Sequence, residues 1–325
     1  MTREASWRRW IWIAIAAVIA IAAYLMVGDV EGLGGRLAVF GWGSFVAALG
    51  LSLANYALRF VRWQLYLRRQ RVVVPVGSSA MVFGAGLSLA ITPAKLGEQI
   101  KSYLLRELHA IPTTRTAPIV IAERVTDLVA LLVLALIGVA AYGVQTTLVL
   151  VGAGLVGAGL LLLAWPRPAA ALIDLVTRPR RMRRFREPMH EMYDGLAALC
   201  RPKLLVGATA LAIPAWTCEC IGFAVIVEAF PNAHVALGLA VAIYATTTIA
   251  GALSFLPGGL GVTEGTMAIL LVRSGVQLDQ ATAVDATLLT RLATLWFGVV
   301  LGLGLLAIAR TRIAKTYAAA RARTV

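Results

Sequence analysis

Apolar windows of roughly 17 to 25 residues recur along nearly the whole chain, and each is long enough to cross a hydrocarbon core of about 30 Å as a helix. Hydrocarbon cannot satisfy backbone hydrogen bonds, so such windows fold as helices with their bonds internal. A soluble fold cannot hide this much apolar surface: 60% of the 325 residues are apolar, only 14% are charged, and the mean hydropathy is +0.82. The expected fold class is therefore all-α, a polytopic membrane protein forming a single transmembrane domain over 1–325. The longest polar segment is the basic linker Arg167 to Lys203, which leaves no stretch for a soluble catalytic domain.

Thirty Lys and Arg against 16 Asp and Glu give a net charge of +14. The basic residues sit between apolar spans and lack an aromatic-bearing soluble module, so nucleic acid is excluded as a partner. They are expected beside cytoplasmic helix ends, where they set orientation and meet anionic headgroups. Cys200, Cys218 and Cys220 make no disulfide framework, and no Cys or His pattern has metal-ligand spacing. No metal and no cofactor is expected.

The charges also order the spans. Arg3, Arg8 and Arg9 precede an apolar run from Ile11 to about Val27, read as an uncleaved first span with a cytoplasmic N-terminus. A second span, about Leu37 to Ala57, returns to a cluster of Arg59, Arg62, Arg68, Arg69 and Arg71. Further full spans are expected at about Pro118 to Tyr142, Leu148 to Trp165, Leu204 to Ala229 and Ala281 to Ala309. That makes about six. The basic segments Lys101 to Arg115 and Arg167 to Lys203 are separated by two spans and so lie on one side, which forces Val74 to Lys101 to enter and leave on that side. Parity asks for a second re-entrant hairpin around Pro257 to Glu264, opening outward. Within the linker, Leu172 to Leu199 is expected to be interfacial and to bind anionic lipid. Gly152 to Gly159 is expected to pack between helices.

The two interruptions share a pattern. Pro93-Ala-Lys-Leu-Gly97 and Pro257-Gly-Gly-Leu-Gly261 both read P-x-x-L-G, both end an apolar run, and a glutamate follows each, Glu98 or Glu264. A buried arginine comes 31 residues after the first proline, Arg124, and 34 after the second, Arg291. An inverted repeat is expected, with 37–142 as repeat 1 and 204–310 as repeat 2. Segment 1–36 carries the first span and its flanks, 143–203 connects the repeats, and 311–325 is a basic cytoplasmic tail. Interrupted helices that meet near the midplane are a recurrent build of secondary transporters. A proline kink or an ordinary interhelical loop is the plainer alternative for each interruption.

Charges inside apolar spans mark the candidate site, because each costs at least about 2.5 to 3.5 kcal/mol at mid-bilayer unless it faces protein or a cavity. Glu123 and Asp127 share a helix face, and Arg124 and Asp127 can pair at i and i+3. A structural ion pair near the interface is the alternative. For Arg291 the candidate partners are Glu264, Glu123 and Asp127. Lys95 and Lys101 flank Glu98 and suit a phosphate-bearing headgroup, or serve as ordinary flanking charges. Glu219 is either a proton or cation site or a hydrogen-bonded core residue.

The series Arg59-Phe-Val-Arg62-Trp63, Thr92-Pro-Ala-Lys-Leu-Gly-Glu98, Glu123-Arg-Val-Thr-Asp127 and Phe255-Leu-Pro-Gly-Gly-Leu-Gly-Val-Thr-Glu264 resembles the lysylphosphatidylglycerol synthase transmembrane-region family. The resemblance runs from about Asn55 to the end of the last helix, and the glycine-rich second motif is its most specific part. That family includes the flippase part of the multiple peptide resistance factor and stand-alone members linked to hopanoid or polyprenyl-linked sugar pathways. No soluble synthase domain like that of the bifunctional members is expected. The resemblance therefore implies a stand-alone lipid flippase or transporter of the bacterial inner membrane; the basic flanks lead us to expect both termini in the cytoplasm. It implies a path lined by the hairpins, with Pro93, Lys95, Gly97, Glu98 and Lys101 in the first and Pro257, Gly258, Gly259, Gly261 and Glu264 in the second. The charges Arg59, Arg62, Glu123, Arg124, Asp127, Glu219 and Arg291 complete it.

No nucleotide-binding G-x-x-x-x-G-K-[ST] motif is present, so a lipid or ion gradient is the expected driving force. Two other readings stand beside transport. One is a membrane-embedded enzyme acting on a lipid-linked substrate, with Glu98, Glu264 or Asp127 as general acid or base. The other is a non-catalytic partner of a separate lipid synthase.

Overall fold

The computed structural model describes residues 30–142, 146–180 and 182–322, all helical or connecting, with no strand among them. The expected first span, Ile11 to Val27, lies outside the described residues. In chain order the helices are α1 (Val30–Ala38), α2 (Trp42–Arg69), α3 (Val76–Leu87), α4 (Ile100–His109), α5 (Thr113–Tyr142), α6 (Thr146–Ala164) and α7 (Pro166–Thr177). They continue with α8 (Arg186–Leu199), α9 (Pro202–Glu228), α10 (Leu237–Leu253), α11 (Val262–Arg273), α12 (Gln280–Arg291) and α13 (Phe297–Ala322). A 3-10 segment, Pro93–Gln99, joins α3 to α4, another, Pro257–Gly259, precedes α11, and a π turn, Leu292–Trp296, runs α12 into α13.

The chain is an all-α polytopic membrane protein. Among the described residues five helices are long and apolar enough to cross a bilayer: Trp42–Arg69, Thr113–Tyr142, Thr147–Ala164, Pro202–Glu228 and Gln280–Ala314. They coincide with the second to sixth expected spans. By contrast α3 and α11, at 12 residues each, extend only about 18 Å at 1.5 Å per residue, too short to cross alone.

Two expected boundaries shift, and the linker gains structure. α2 does not end at Ala57 but continues to Arg69, carrying Arg59 and Arg62 inside the protein. A helix tolerates them there because acidic partners neutralise them. The last helix likewise continues past Ala309 through most of the expected tail, to Ala322. The linker forms two helices, α7 and α8, joined through Arg183–Phe185.

Each half runs long helix, short apolar helix, 3-10 break, short helix, long helix: α2 to α5 in one, α9 to α13 in the other. Contacts between the halves are reciprocal. α2 packs on α9, α3 packs on α13 as α10 packs on α5, and the two 3-10 breaks touch each other. A two-fold relation between the halves requires this exchange of like for like. The core divides accordingly into one apolar cluster around Trp216, Phe223, Ile243 and Leu271 and a second around Trp63, Phe83, Leu105 and Ile119.

α6 lies at the margin. Gly152 approaches Ile249 and Leu132, but a Cβ on Gly154, Gly157 or Gly159 would meet nothing within 4 Å. The expected helix-packing motif is thus one contact and three glycines facing outward.

Candidate functional site

Proline starts each break, since it fixes φ near −65° and has no N–H to give. Past Pro257 the chain turns on Gly258, Gly259 and Gly261, at φ of +62°, +67° and +81°, a region that only glycine enters freely. The first break has no glycine at the position matching Gly259. Lys95 stands there, at φ +54°. A lysine so placed costs of order 1 to 3 kcal/mol, a strain characteristic of functional positions. Gly97 is required for another reason: a Cβ on it would fall 2.6 Å from Thr92 Cγ2 and 2.7 Å from Leu89 Cβ.

Between the breaks lies a cavity of about 310 Å³. Arg59, Lys95, Arg124, Asp127, Glu219 and Arg291 line it with Gly258 and Gly259, while Leu87, Leu128, Leu131, Leu253 and Leu295 supply apolar wall. Phe255 and Leu256, on its rim, are exposed.

Behind one wall is a dense ion network. Asp127 Oδ1 lies 2.7 Å from Arg62 and accepts from the Trp216 indole at 3.2 Å, and Asp127 Oδ2 is 3.2 Å from Arg124. Glu98 Oε2 is 3.2 Å from both Arg124 and Lys101, and Lys101 reaches Glu123 at 2.5 Å. Arg62 also donates to Thr126 at 3.0 Å. Arg59 sits 3.9 Å from both Glu98 and Asp127, its Nε without a hydrogen-bond partner among the described residues. Lys95 forms no ion pair among them; its ammonium stands 5.5 Å above the Trp216 ring. Five cations thus meet three carboxylates, and the two left loosely held, Arg59 and Lys95, both line the cavity. A surplus of positive charge in a low-dielectric wall is complementary to an anion.

The second half repeats the device with one pair. Arg291 Nε is 2.6 Å from Glu264 Oε1, its terminal nitrogen reaches the Gly258 carbonyl at 2.5 Å, and Glu264 Oε2 accepts from the Gly261 N–H at 2.7 Å. One guanidinium therefore closes the break by occupying a carbonyl that the kink frees. The π turn follows directly, and α2 satisfies its carbonyls: Ser52 Oγ donates to Ala293 at 2.8 Å and Tyr56 to Thr294 at 2.6 Å. Such turns interrupt helices mostly at functional positions.

Of the candidate residues, Arg62, Glu98, Lys101, Glu123 and Glu264 stand behind the cavity rather than on it. The expected pairing of Lys95 with Lys101 as a headgroup pocket is corrected in part. Lys101 is buried between Glu98 and Glu123, stacked 4.9 Å from the Trp63 ring, and only Lys95 faces the cavity. Glu264 is the partner of Arg291, not Glu123 or Asp127. Pro93, Gly97, Pro257 and Gly261 act through backbone shape. Sequence reasoning missed Tyr56, Trp216, Tyr244 and Thr294 of the lining. Tyr and Trp within spans, away from the interfaces where they usually collect, are the signal that marks such positions.

A UPF0104 membrane protein from Methanothermobacter thermautotrophicus is similar, at 25% identity over 313 residues, covering 87% of this chain and 90% of that protein. The family match reaches well upstream of Asn55, the expected start of the resemblance. It covers residues 11–302, and the chain belongs to the lysylphosphatidylglycerol synthase TM region family.

Proposed function

We propose that this membrane protein is a flippase or transporter that moves a polar-headed lipid, a phospholipid or a polyprenyl or hopanoid lipid, across the bacterial inner membrane. The observation that carries this reading is the cavity between the two proline-led breaks, with loosely held Arg59 and Lys95 on one side and leucines opening at Phe255 and Leu256 on another. A lipid has the matching form, an anionic head and apolar tails. The breaks are read as re-entrant hairpins of an inverted repeat. The short α3 and α11 and the reciprocal packing of the halves support that reading. Irregular backbone at membrane depth is tolerated where it is enclosed in protein or lines a cavity.

Both termini are placed in the cytoplasm on charge parity, with the basic linker against anionic headgroups. Its joint exposes Leu175, Val176 and Phe185 beside Arg183 and Arg184, a composition suited to an interface. A transport role is favoured over an enzymatic one because Glu98, Asp127 and Glu264 are each held by arginine or lysine. Their oxygens are engaged in ion pairs rather than open to a substrate. Reconstitution into liposomes with fluorescent phosphatidylglycerol tests the proposal. Leaflet exchange that exceeds protein-free vesicles is expected, and conversion of the lipid without exchange overturns it.

A further inference from the structure

Beside the cationic wall, the cavity carries one carboxyl group that the ion network does not use. Glu219, on α9, is 7% exposed and lines the cavity. No cation lies within ion-pair distance of it among the described residues, and its hydrogen bond there is to the Tyr244 hydroxyl, 2.5 Å from Oε2. Every other acid of the site, by contrast, has a lysine or arginine at 3.2 Å or less. A carboxyl at membrane depth that stands outside every ion pair, lines a polar cavity and holds a hydroxyl is marked as a functional site.

We propose that Glu219, with Tyr244, is a proton-binding site whose occupancy is linked to an anion in the same cavity, making translocation proton-coupled. The linkage rests on the reading of the cavity as a lipid path; the proton site does not. The titratable and charged groups that interact with Glu219 or share its cavity come from each element packed on α9. They are Tyr56 and Arg59 of α2, Asp127 and Arg124 of α5, Tyr244 of α10 and Arg291 of α12, with Lys95 from the first break and Cys218 and Cys220 on α9 itself. Counting the network and the Arg291 pair, six cations face five carboxylates when Glu219 is ionised and four when it is protonated. A proton on Glu219 therefore strengthens the attraction for an anion. By reciprocity, an anion held at Arg59 and Lys95 strengthens the hold on the proton. The two would cross together in one direction.

Two measurements separate the proton site from the transport reading. In dodecyl maltoside micelles, which contribute no ester carbonyls, infrared difference spectra of the full chain between acid and alkaline pH should show a protonated-carboxyl band. One component of that band, superposed on those of the exposed carboxyls, should be missing from Glu219→Gln and shifted in Tyr244→Phe. A band unchanged in Glu219→Gln, or no band in the wild type, overturns the proton site. In proteoliposomes holding fluorescent phosphatidylglycerol, an imposed gradient of about one pH unit should displace the steady-state leaflet ratio by up to about tenfold for one proton per lipid. The displacement should vanish in Glu219→Gln and persist in Gly154→Ala, where an added Cβ meets nothing within 4 Å. A wild-type ratio indifferent to the gradient overturns the coupling while exchange itself still supports translocation. Absence of wild-type exchange at any gradient overturns both, and leaves the infrared band to decide the proton site alone.

Discussion

Arg291 holds Glu264 at 2.6 Å across the start of α11, as Arg124 holds Glu98 at 3.2 Å beside α4, so each half ties its proline-led break to its last long helix by one arginine and one glutamate. In the second half the same guanidinium also binds the Gly258 carbonyl, which the kink leaves without a helical partner.

Removing Arg291 should strand both groups. Arg291→Ala is expected to cost about 3 to 5 kcal/mol and to reduce leaflet exchange severely, because Glu264 remains buried without its partner. Arg183→Ala, in the exposed linker joint, should change little. Thermal unfolding in detergent together with exchange at matched reconstitution checks the pair, and equal mild losses would show that Arg291 is not part of the path.

Lys95 offers a separation of stability from function. Lys95→Gly should relieve the left-handed strain and stabilise the fold by about 1 kcal/mol, while weakening anion attraction in the cavity. Higher unfolding temperature with slower exchange is the expected outcome. Faster exchange, or lower stability, contradicts the role given to its ammonium.

Glycines at two positions should respond in opposite ways. A Cβ on Gly302 would stand 2.2 Å from the Ser88 backbone nitrogen, so Gly302→Ala must separate α13 from α3 and should abolish folded yield. Gly154→Ala meets nothing within 4 Å and should be neutral or stabilising by up to about 1 kcal/mol. Monodispersity after detergent extraction distinguishes them.

Orientation is open to direct labelling. Single cysteines at position 110 and at positions 274 to 280 are expected to react from opposite faces, the first from the cytoplasm. Periplasmic labelling at 110 would remove the first hairpin and, with it, the inverted repeat.

Much of this protein follows from the chain alone. Apolar runs long enough to span hydrocarbon specify their own helices, because lipid offers the backbone no other partner; α2, α5, α6, α9 and the last helix stand where the runs do. The P-x-x-L-G breaks are likewise local, set by proline and glycine dihedrals. What the sequence could not decide is which charge meets which. Arg59 and Arg62 read as a helix-flanking cluster, and only the approach of α5 to α2 turns them into buried partners of Asp127. Lys95 and Lys101 look alike along the chain, yet one lies between two glutamates and the other faces the cavity. Apart from the i,i+3 pairs Lys101–Glu98 and Arg124–Asp127, the ion pairs of the site join residues 22 to 68 positions apart, and their selection depends on the packing of whole helices, a property that local spacing does not contain.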